Sequence, residues 1–308
     1  MLEVHRASTS LCDPKTSFEP TNYELNNPSI FESGYACSEI KKYTISPCLI
    51  AQKSPISKFV NSCFYGKIDD MQLHYTPKLL NKRSNDGECG ILKAACSVST
   101  DALEWLIKKK ASVLARSKNG LTALHSACAY GRLKTIKLLI SKGVDPLLCS
   151  FDSFHSPLHV ALINDHQECA FLLLPFLKTV DLPDSFGVTP LHLAVLKNMT
   201  GLAIKMIKIG CNINRQTLSP CYIEGIHATS IESPRYEQEI LSKGISPLHI
   251  ASWQNNDEMV LFLLQNGANP SLKDAQGNLP EHYCNEQLKL TLNKCRLYYE
   301  DYTRAIAA

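Results

Sequence analysis

The feature that most limits what this chain can fold into is a four-residue phrase that keeps returning. It reads Thr122-Ala123-Leu124-His125, Ser156-Pro157-Leu158-His159, Thr189-Pro190-Leu191-His192 and Ser246-Pro247-Leu248-His249, with a degraded copy at Leu279-Pro280-Glu281-His282. The histidines are 34, 33, 57 and 33 residues apart, and the one long interval is a period of 33 plus 24 extra residues. A chain that repeats itself at this spacing stacks copies of one small unit, each burying its apolar face on its neighbours.

Each phrase reads as the start of a helix. Thr or Ser supplies an N-cap oxygen, and Pro stands at the first helical position, where its missing N–H costs nothing. Gly120, Gly187, Gly244 and Gly277 lie five residues before their histidines, where a tight turn needs a residue that tolerates positive φ. A second helix follows in each unit, such as Lys134 to Ser141 or Glu258 to Gln265, and Gly143, Gly210 and Gly267 end it with a left-handed cap. In the unit opened by Ser156, Pro175 interrupts Phe171 to Leu177, so that second helix is predicted to kink or end near Leu174.

With alanine two places beyond each histidine (Ala127, Ala161, Ala194, Ala251), the phrase and its period resemble the ankyrin repeat. The resemblance implies an all-α repeat solenoid, an ankyrin array of helix–turn–helix units with short hairpin loops. The pattern extends upstream. Phe59 to Ile68 aligns with Leu124 to Leu133 at an offset of 65, and Ile91-Leu92-Lys93-Ala94-Ala95 fills the step between them, with Lys93 in the histidine slot. Seven units are expected, starting near 57, 87, 120, 154, 187, 244 and 277, in a repeat domain spanning 57–308 with an insertion at about 218–241.

Residues 1–56 lack periodicity and are broken by Pro14, Pro20, Pro28, Pro47 and Pro55, which predicts a disordered arm. Within it, Glu32-Ser33-Gly34-Tyr35-Ala36-Cys37-Ser38 loosely resembles the paired-serine phosphodegron of inhibitor-of-NF-κB proteins, which makes Ser33 and Ser38 candidate phosphorylation sites. The spacing departs from that family by one residue, and Glu32 stands where Asp is usual. An ordinary serine in a solvated tail is the competing reading. After Cys295 only Arg296 to Ala308 remains, too short for the C-terminal box of a ubiquitin-ligase substrate receptor.

Four histidines at repeat spacing invite a metal or general-base reading. Stacked units hold them roughly 10 Å apart, too far to share an ion. The family resemblance instead makes Thr122, His125, Ser156, His159, Thr189, His192, Ser246 and His249 a structural hydrogen-bonding set. No two of the thirteen cysteines form Cys-x-x-Cys, and no nucleophile elbow, phosphate-binding Gly-rich loop or His-Glu-x-x-His is present. No cofactor, no metal and no catalysis are expected.

The opening Met1-Leu2-Glu3-Val4-His5-Arg6 lacks the apolar core of a signal peptide, and Phe171 to Leu177 is far short of a membrane span. A cytoplasmic protein is expected, with the nucleus as the other compartment, and a monomer on its own. The net charge of +3 is too small for a general nucleic-acid binder. From Trp105 to Asp145, however, nine basic residues (Lys108, Lys109, Lys110, Arg116, Lys118, Arg132, Lys134, Lys137, Lys142) face one acid, Asp145. That suits another protein with an acidic segment.

The expected function is protein recognition through the concave face and the loop tips. The candidate contacts are Lys118, Asn119, Asp152, Asp184 and Asp274 at tips, and Tyr130, Phe154, Phe186 and Trp253 as aromatic anchors. Arg132 and Lys134 supply charge, and Tyr222, Arg235 and Tyr236 stand in the insertion. The alternative is a cytoplasmic inhibitor of a transcription factor, resembling inhibitor-of-NF-κB proteins, with the arm as its destruction signal.

Overall fold

The computed structural model describes residues 54–84, 87–219 and 243–307. Helical segments come in pairs: α1 (Pro55–Tyr65) with α2 (Ile68–His74), α3 (Gly90–Ala94) with α4 (Asp101–Lys108), and α5 (Ala123–Ala129) with α6 (Leu133–Ser141). Next come α7 (Pro157–Ile163) with α8 (Gln167–Leu173), α9 (Pro190–Leu196) with α10 (Thr200–Ile209), and α11 (Pro247–Trp253) with α12 (Asp257–Gln265). The last pair is a 3-10 turn, Pro280–His282, and α13 (Glu286–Ala307). Among the described residues there is no β-strand, only isolated bridges joining Arg83 to Cys89 and Arg116 to Thr122. The serine pair Ser33 and Ser38, and the insertion residues Tyr222, Arg235 and Tyr236, lie outside the described residues.

Each first helix begins the way its phrase dictates. Pro holds an opening position of α7, α9 and α11, and the histidine ring reaches back to the cap. Nδ1 accepts the backbone N–H of the cap residue at 3.0 Å (Thr122), 3.2 Å (Ser156), 3.1 Å (Thr189) and 3.2 Å (Ser246). With Nδ1 accepting, the proton sits on Nε2, which donates to a carbonyl of the following unit: His155 at 3.0 Å, Val188 at 3.2 Å, Ile245 at 3.2 Å and Asn278 at 3.4 Å. One ring therefore caps its own helix and ties that helix to the next unit. All four rings are buried, each bonded to its own cap residue and to its own carbonyl in the following unit.

Between the helices runs one continuous apolar core. Leu124, Leu158, Leu191 and Leu248 from the first helices meet Leu139, Leu173, Met206 and Leu263 from the second, all at most 1% exposed. Burying such a side chain stabilises the stack by about 2 kcal/mol, an upper figure because the unfolded chain is itself partly collapsed. The same cluster runs on from unit to unit, so each unit completes its burial against its neighbours.

Local departures have local causes. α1 opens two residues ahead of the expected 57, because Ser54 caps it and Pro55 takes the first position. α8 ends at Leu173 and a 3-10 turn, Leu174–Phe176, carries Pro175, as the missing N–H requires. The segment beyond it folds inward on Leu174, Leu177, Val180 and Leu182, which are all buried.

Lys93 does not fill the histidine slot. The bridge Arg83–Cys89 and the bond from Ser84 N–H to the Glu88 carbonyl match Arg116–Thr122 and Ser117 N–H to Leu121 at an offset of 33, not 32. Leu92, fully buried, therefore takes the place of His125, and Lys93 the place of Ser126, on the open side of its helix. The second unit replaces the polar joint with a greasy one.

Phe154 occupies the position held elsewhere by Gly120, Gly187 and Gly244, whose φ values are 77°, 78° and 87°, and is itself forced to φ 53°. Its ring is not part of the core cluster. Left-handed backbone costs a residue with a Cβ roughly 1–2 kcal/mol. Phe154→Gly is therefore expected to stabilise the protein by about 1 kcal/mol in urea unfolding, after the larger chain entropy of unfolded glycine is set against it. A lowered urea midpoint would show that the ring contributes packing instead.

Candidate protein-binding surface

The loops between units are fingers, and their bases are built alike. A short oxygen-bearing side chain accepts an N–H from beyond the turn: Ser117 Oγ from Leu121 (3.1 Å), Ser150 Oγ from His155 (3.0 Å), Asp184 Oδ1 from Val188 (2.8 Å), Thr217 Oγ1 from Ile245 (3.0 Å) and Asp274 Oδ1 from Asn278 (2.8 Å). Asp184 and Asp274, expected to face a partner from the tips, thus turn inward and are buried. Asp184 also meets His155 Nε2 at 3.3 Å, and Asp274 accepts from the Tyr283 hydroxyl. The side-chain and backbone hydrogen bonds hold the Asp274 carboxyl below the usual carboxylate range, although burial works against them.

Thr217 closes its finger onto Ile245 and Gly244 with backbone bonds of 2.9 Å, as Asp184 does onto Val188 and Gly187. The insertion therefore leaves the array from a finger tip, between Leu218 and Lys243, and does not disturb the stack.

Tip is joined to tip. The N–H groups of Phe151, Ser185, Leu218 and Ala275 donate to the carbonyls of Asn119, Ser153, Phe186 and Lys243 in the preceding fingers, at 2.8, 3.0, 2.8 and 2.9 Å. The close approach explains the glycines: a Cβ on Gly120 would lie 2.6 Å from the Phe151 ring, and one on Gly187 would lie 2.6 Å from Leu218 N. Seated on those glycines, Phe151 is still 55% exposed and Leu218 51%. The Arg116 guanidinium stacks 5.0 Å from the Phe151 ring centroid, and the exposed Lys118 stands in the same finger. Neither Phe151 nor Leu218 was singled out from sequence. The available signal was an aromatic beside the tip residue Asp152, which is exposed as expected.

The other candidates divide. Tyr130 and Phe186 pack against the core, whereas Trp253, half-buried, stands outside it on the first-helix side. Burial pushes the Tyr130 hydroxyl up to about 12, so it stays neutral. A narrow groove along the first helices of the second to fourth units is lined by Lys93, Ser126, Tyr130 and Val160. The nine basic residues do not form one patch. Lys109 lies over Tyr75 and Trp105, Arg116 and Lys118 belong to the fingers, and Arg132 and Lys134 line a separate cleft at the turns between paired helices.

Among the described residues no three His, Cys, Asp or Glu side chains come together so as to hold a metal ion, and no helix is long and apolar enough to cross a membrane. Burial drives the described cysteines Cys63, Cys96 and Cys128 away from the reactive thiolate.

Paired helices, shared core, capping histidines and a hydrogen-bonded row of fingers define a repeat array of the protein-interaction class. The chain belongs to the ankyrin repeat family: family profiles described as ankyrin repeats match residues 61–149, 124–207 and 243–275. It is 27% identical over 192 residues to the B-cell lymphoma 3 protein homolog of Mus musculus, covering 61% of this chain and 37% of that protein. The chain thus spans little more than a third of that relative. Among solved structures it resembles the ankyrin repeat domain of Bcl-3, described as a unique member of the IkappaB protein family. The TM-score is 0.60 at 22% identity, covering 79% of this chain and 99% of that one. The human ASB11 ankyrin repeat domain matches with TM-score 0.56 at 19% identity, over 79% of this chain and 98% of that one.

Proposed function

We propose that this protein is a non-catalytic recognition module that works as an adaptor or inhibitor in the cytoplasm or nucleus, capturing a partner with its finger row and first-helix face. The supporting observation is the tip-to-tip ladder of backbone bonds. It presents Phe151, Arg116, Lys118 and Leu218 on a row whose backbone is already ordered, so binding loses little loop entropy. An exposed aromatic with a guanidinium stacked on it is the kind of group that dominates interface energies.

The test is affinity capture with the intact chain, with Lys118→Glu/Phe151→Ala, and with residues 218–241 deleted. The double variant is expected to weaken binding of a specific prey at least about tenfold. Undiminished recovery of every prey would remove the finger row from the contact.

A second reading is favoured by the likeness to Bcl-3. Here the protein is an inhibitor of a transcription factor, with Ser33 and Ser38 as its destruction signal. It is separated from the general reading by the identity of the captured prey, which in this case is a transcription factor.

A further inference from the structure

The second unit differs from the others at its helix–helix turn. α3 ends at Ala94, while the neighbouring α5 runs to Ala129. At the offset of 33 that relates these units, this is two residues early. In place of a positive-φ glycine such as Gly66 or Gly131, the chain crosses through Ala95 to Thr100. The recessed turn leaves an open cleft of about 620 Å³ between the turns on either side, on a different part of the unit from the fingers.

One wall is Phe64 and Tyr65 from the end of α1, the floor is Cys96 to Asp101, and the other wall is Arg132 and Lys134. Arg132 is held in place: its Nε donates to the Cys96 carbonyl at 2.8 Å, and its guanidinium stands 5.9 Å from the Tyr130 ring, which is itself edge-on to Phe64. Neither Arg132 nor Lys134 is in an ion pair among the described residues. The cleft's single carboxylate, Asp101, stands at the start of α4. Beside the two cations, Tyr65 is 53% exposed and Val98 80%.

We propose that this cleft is a second docking site, taking an acidic peptide segment of a partner protein, with a carboxylate on Arg132 and Lys134 and an adjoining apolar side chain on Tyr65 and Val98. The assignment rests on the recognition-module reading and gives the acidic partner a place of its own. Two unpaired cations against one acid select an anion, and the planar guanidinium favours a carboxylate. The exposed tyrosine and valine favour a peptide over a free anion, which would leave them in water. A continuous nucleic-acid backbone would meet Asp101 and find no further bases in the floor.

The probe is a fluorescein-labelled peptide of glutamates flanking a central phenylalanine, with a lysine-for-glutamate peptide as control. Binding to the full chain is followed by fluorescence polarisation and by NMR amide shifts. Expected are salt-sensitive binding of the acidic peptide alone, shifts centred on residues 96–101, and an affinity loss of about tenfold in Lys134→Glu. The Lys134 side chain is exposed and holds no partner in an ion pair, so the variant should leave the fold intact; Arg132→Lys, which keeps the charge but not the fork, should lose less. Unchanged affinity in Lys134→Glu, shifts centred on 117–119 and 151–154, displacement by a single-stranded oligonucleotide but not by unlabelled peptide, or no binding each overturns the cleft assignment. None of these removes the module reading, which fails only if the capture experiment returns no specific prey.

Discussion

Acidification from pH 7 to about 4.5 is expected to unfold the array, in a transition set by the buried histidines. Burial pushes His125 down to about 3, and His159, His192 and His249 down to about 4. An unfolded histidine titrates near 6.5. Between these values the unfolded chain holds protons that the folded chain refuses, so folding stability is complete above about 6.5 and falls as pH drops through the window. Each such group steepens the loss by about 1.4 kcal/mol per pH unit, and four acting together approach 5 kcal/mol per pH unit. Over the two pH units from about 6.5 to 4.5 that removes about 10 kcal/mol, most of a domain stability of roughly 5–15 kcal/mol.

The geometry gives the same sign. Nδ1 of each ring accepts a backbone N–H from its cap residue, so a proton placed there would face another donor. Circular dichroism at 222 nm, scanned against pH in dilute buffer, reads the outcome. A fold that survives intact at pH 4 would mean that the rings accept protons in place. Because a repeat array couples only nearest neighbours, the loss should spread from weak joints and need not be all-or-none.

Much of this array is legible in the amino-acid sequence because its stacking demands are chemical and recur. Thr or Ser before Pro, a leucine, then a histidine is a cap, a first helical turn, a core contact and a strut, and Pro175 ends α8 where a missing donor must. The 24 surplus residues also fit a single place, the finger between Thr217 and Gly244. Legibility fails where such anchors are absent. Around Lys93 there is no Thr, Pro or His to pin the register, and the Arg83–Cys89 bridge and the Ser84–Glu88 bond are what show that Leu92 fills the slot. Asp184 and Asp274 look like loop charges, yet each stands three residues before a positive-φ glycine and turns inward to hold the finger. The basic run separates for a related reason: neighbours in sequence belong to fingers, turns and second helices, which face different ways. A recognition surface is made across units, and a period along the chain does not say which side chains become neighbours.

His159→Ala should be among the most damaging single changes in the central units. It removes the acceptor of the Ser156 N–H (3.2 Å) and the partner of Ser156 Oγ (2.8 Å), together with the donor to the Val188 carbonyl (3.2 Å), in a site that is fully buried. The Val188 carbonyl keeps its bond from Asp184 N–H at 2.9 Å, so the main orphan is the Ser156 amide, beside a cavity the size of an imidazole. A buried unsatisfied donor and a lost ring together cost about 3–4 kcal/mol, read as a drop in the urea unfolding free energy. His159→Leu refills the volume, as Leu92 does in the second unit, and is expected to lose only about half as much. Both variants also remove one titrating ring, so their stability should fall less steeply with acid, by about 1.4 kcal/mol per pH unit. If His159→Leu instead matched His159→Ala, volume would be irrelevant and the strut would act through its hydrogen bonds alone; equal pH slopes in wild type and variant would detach the acid transition from this ring.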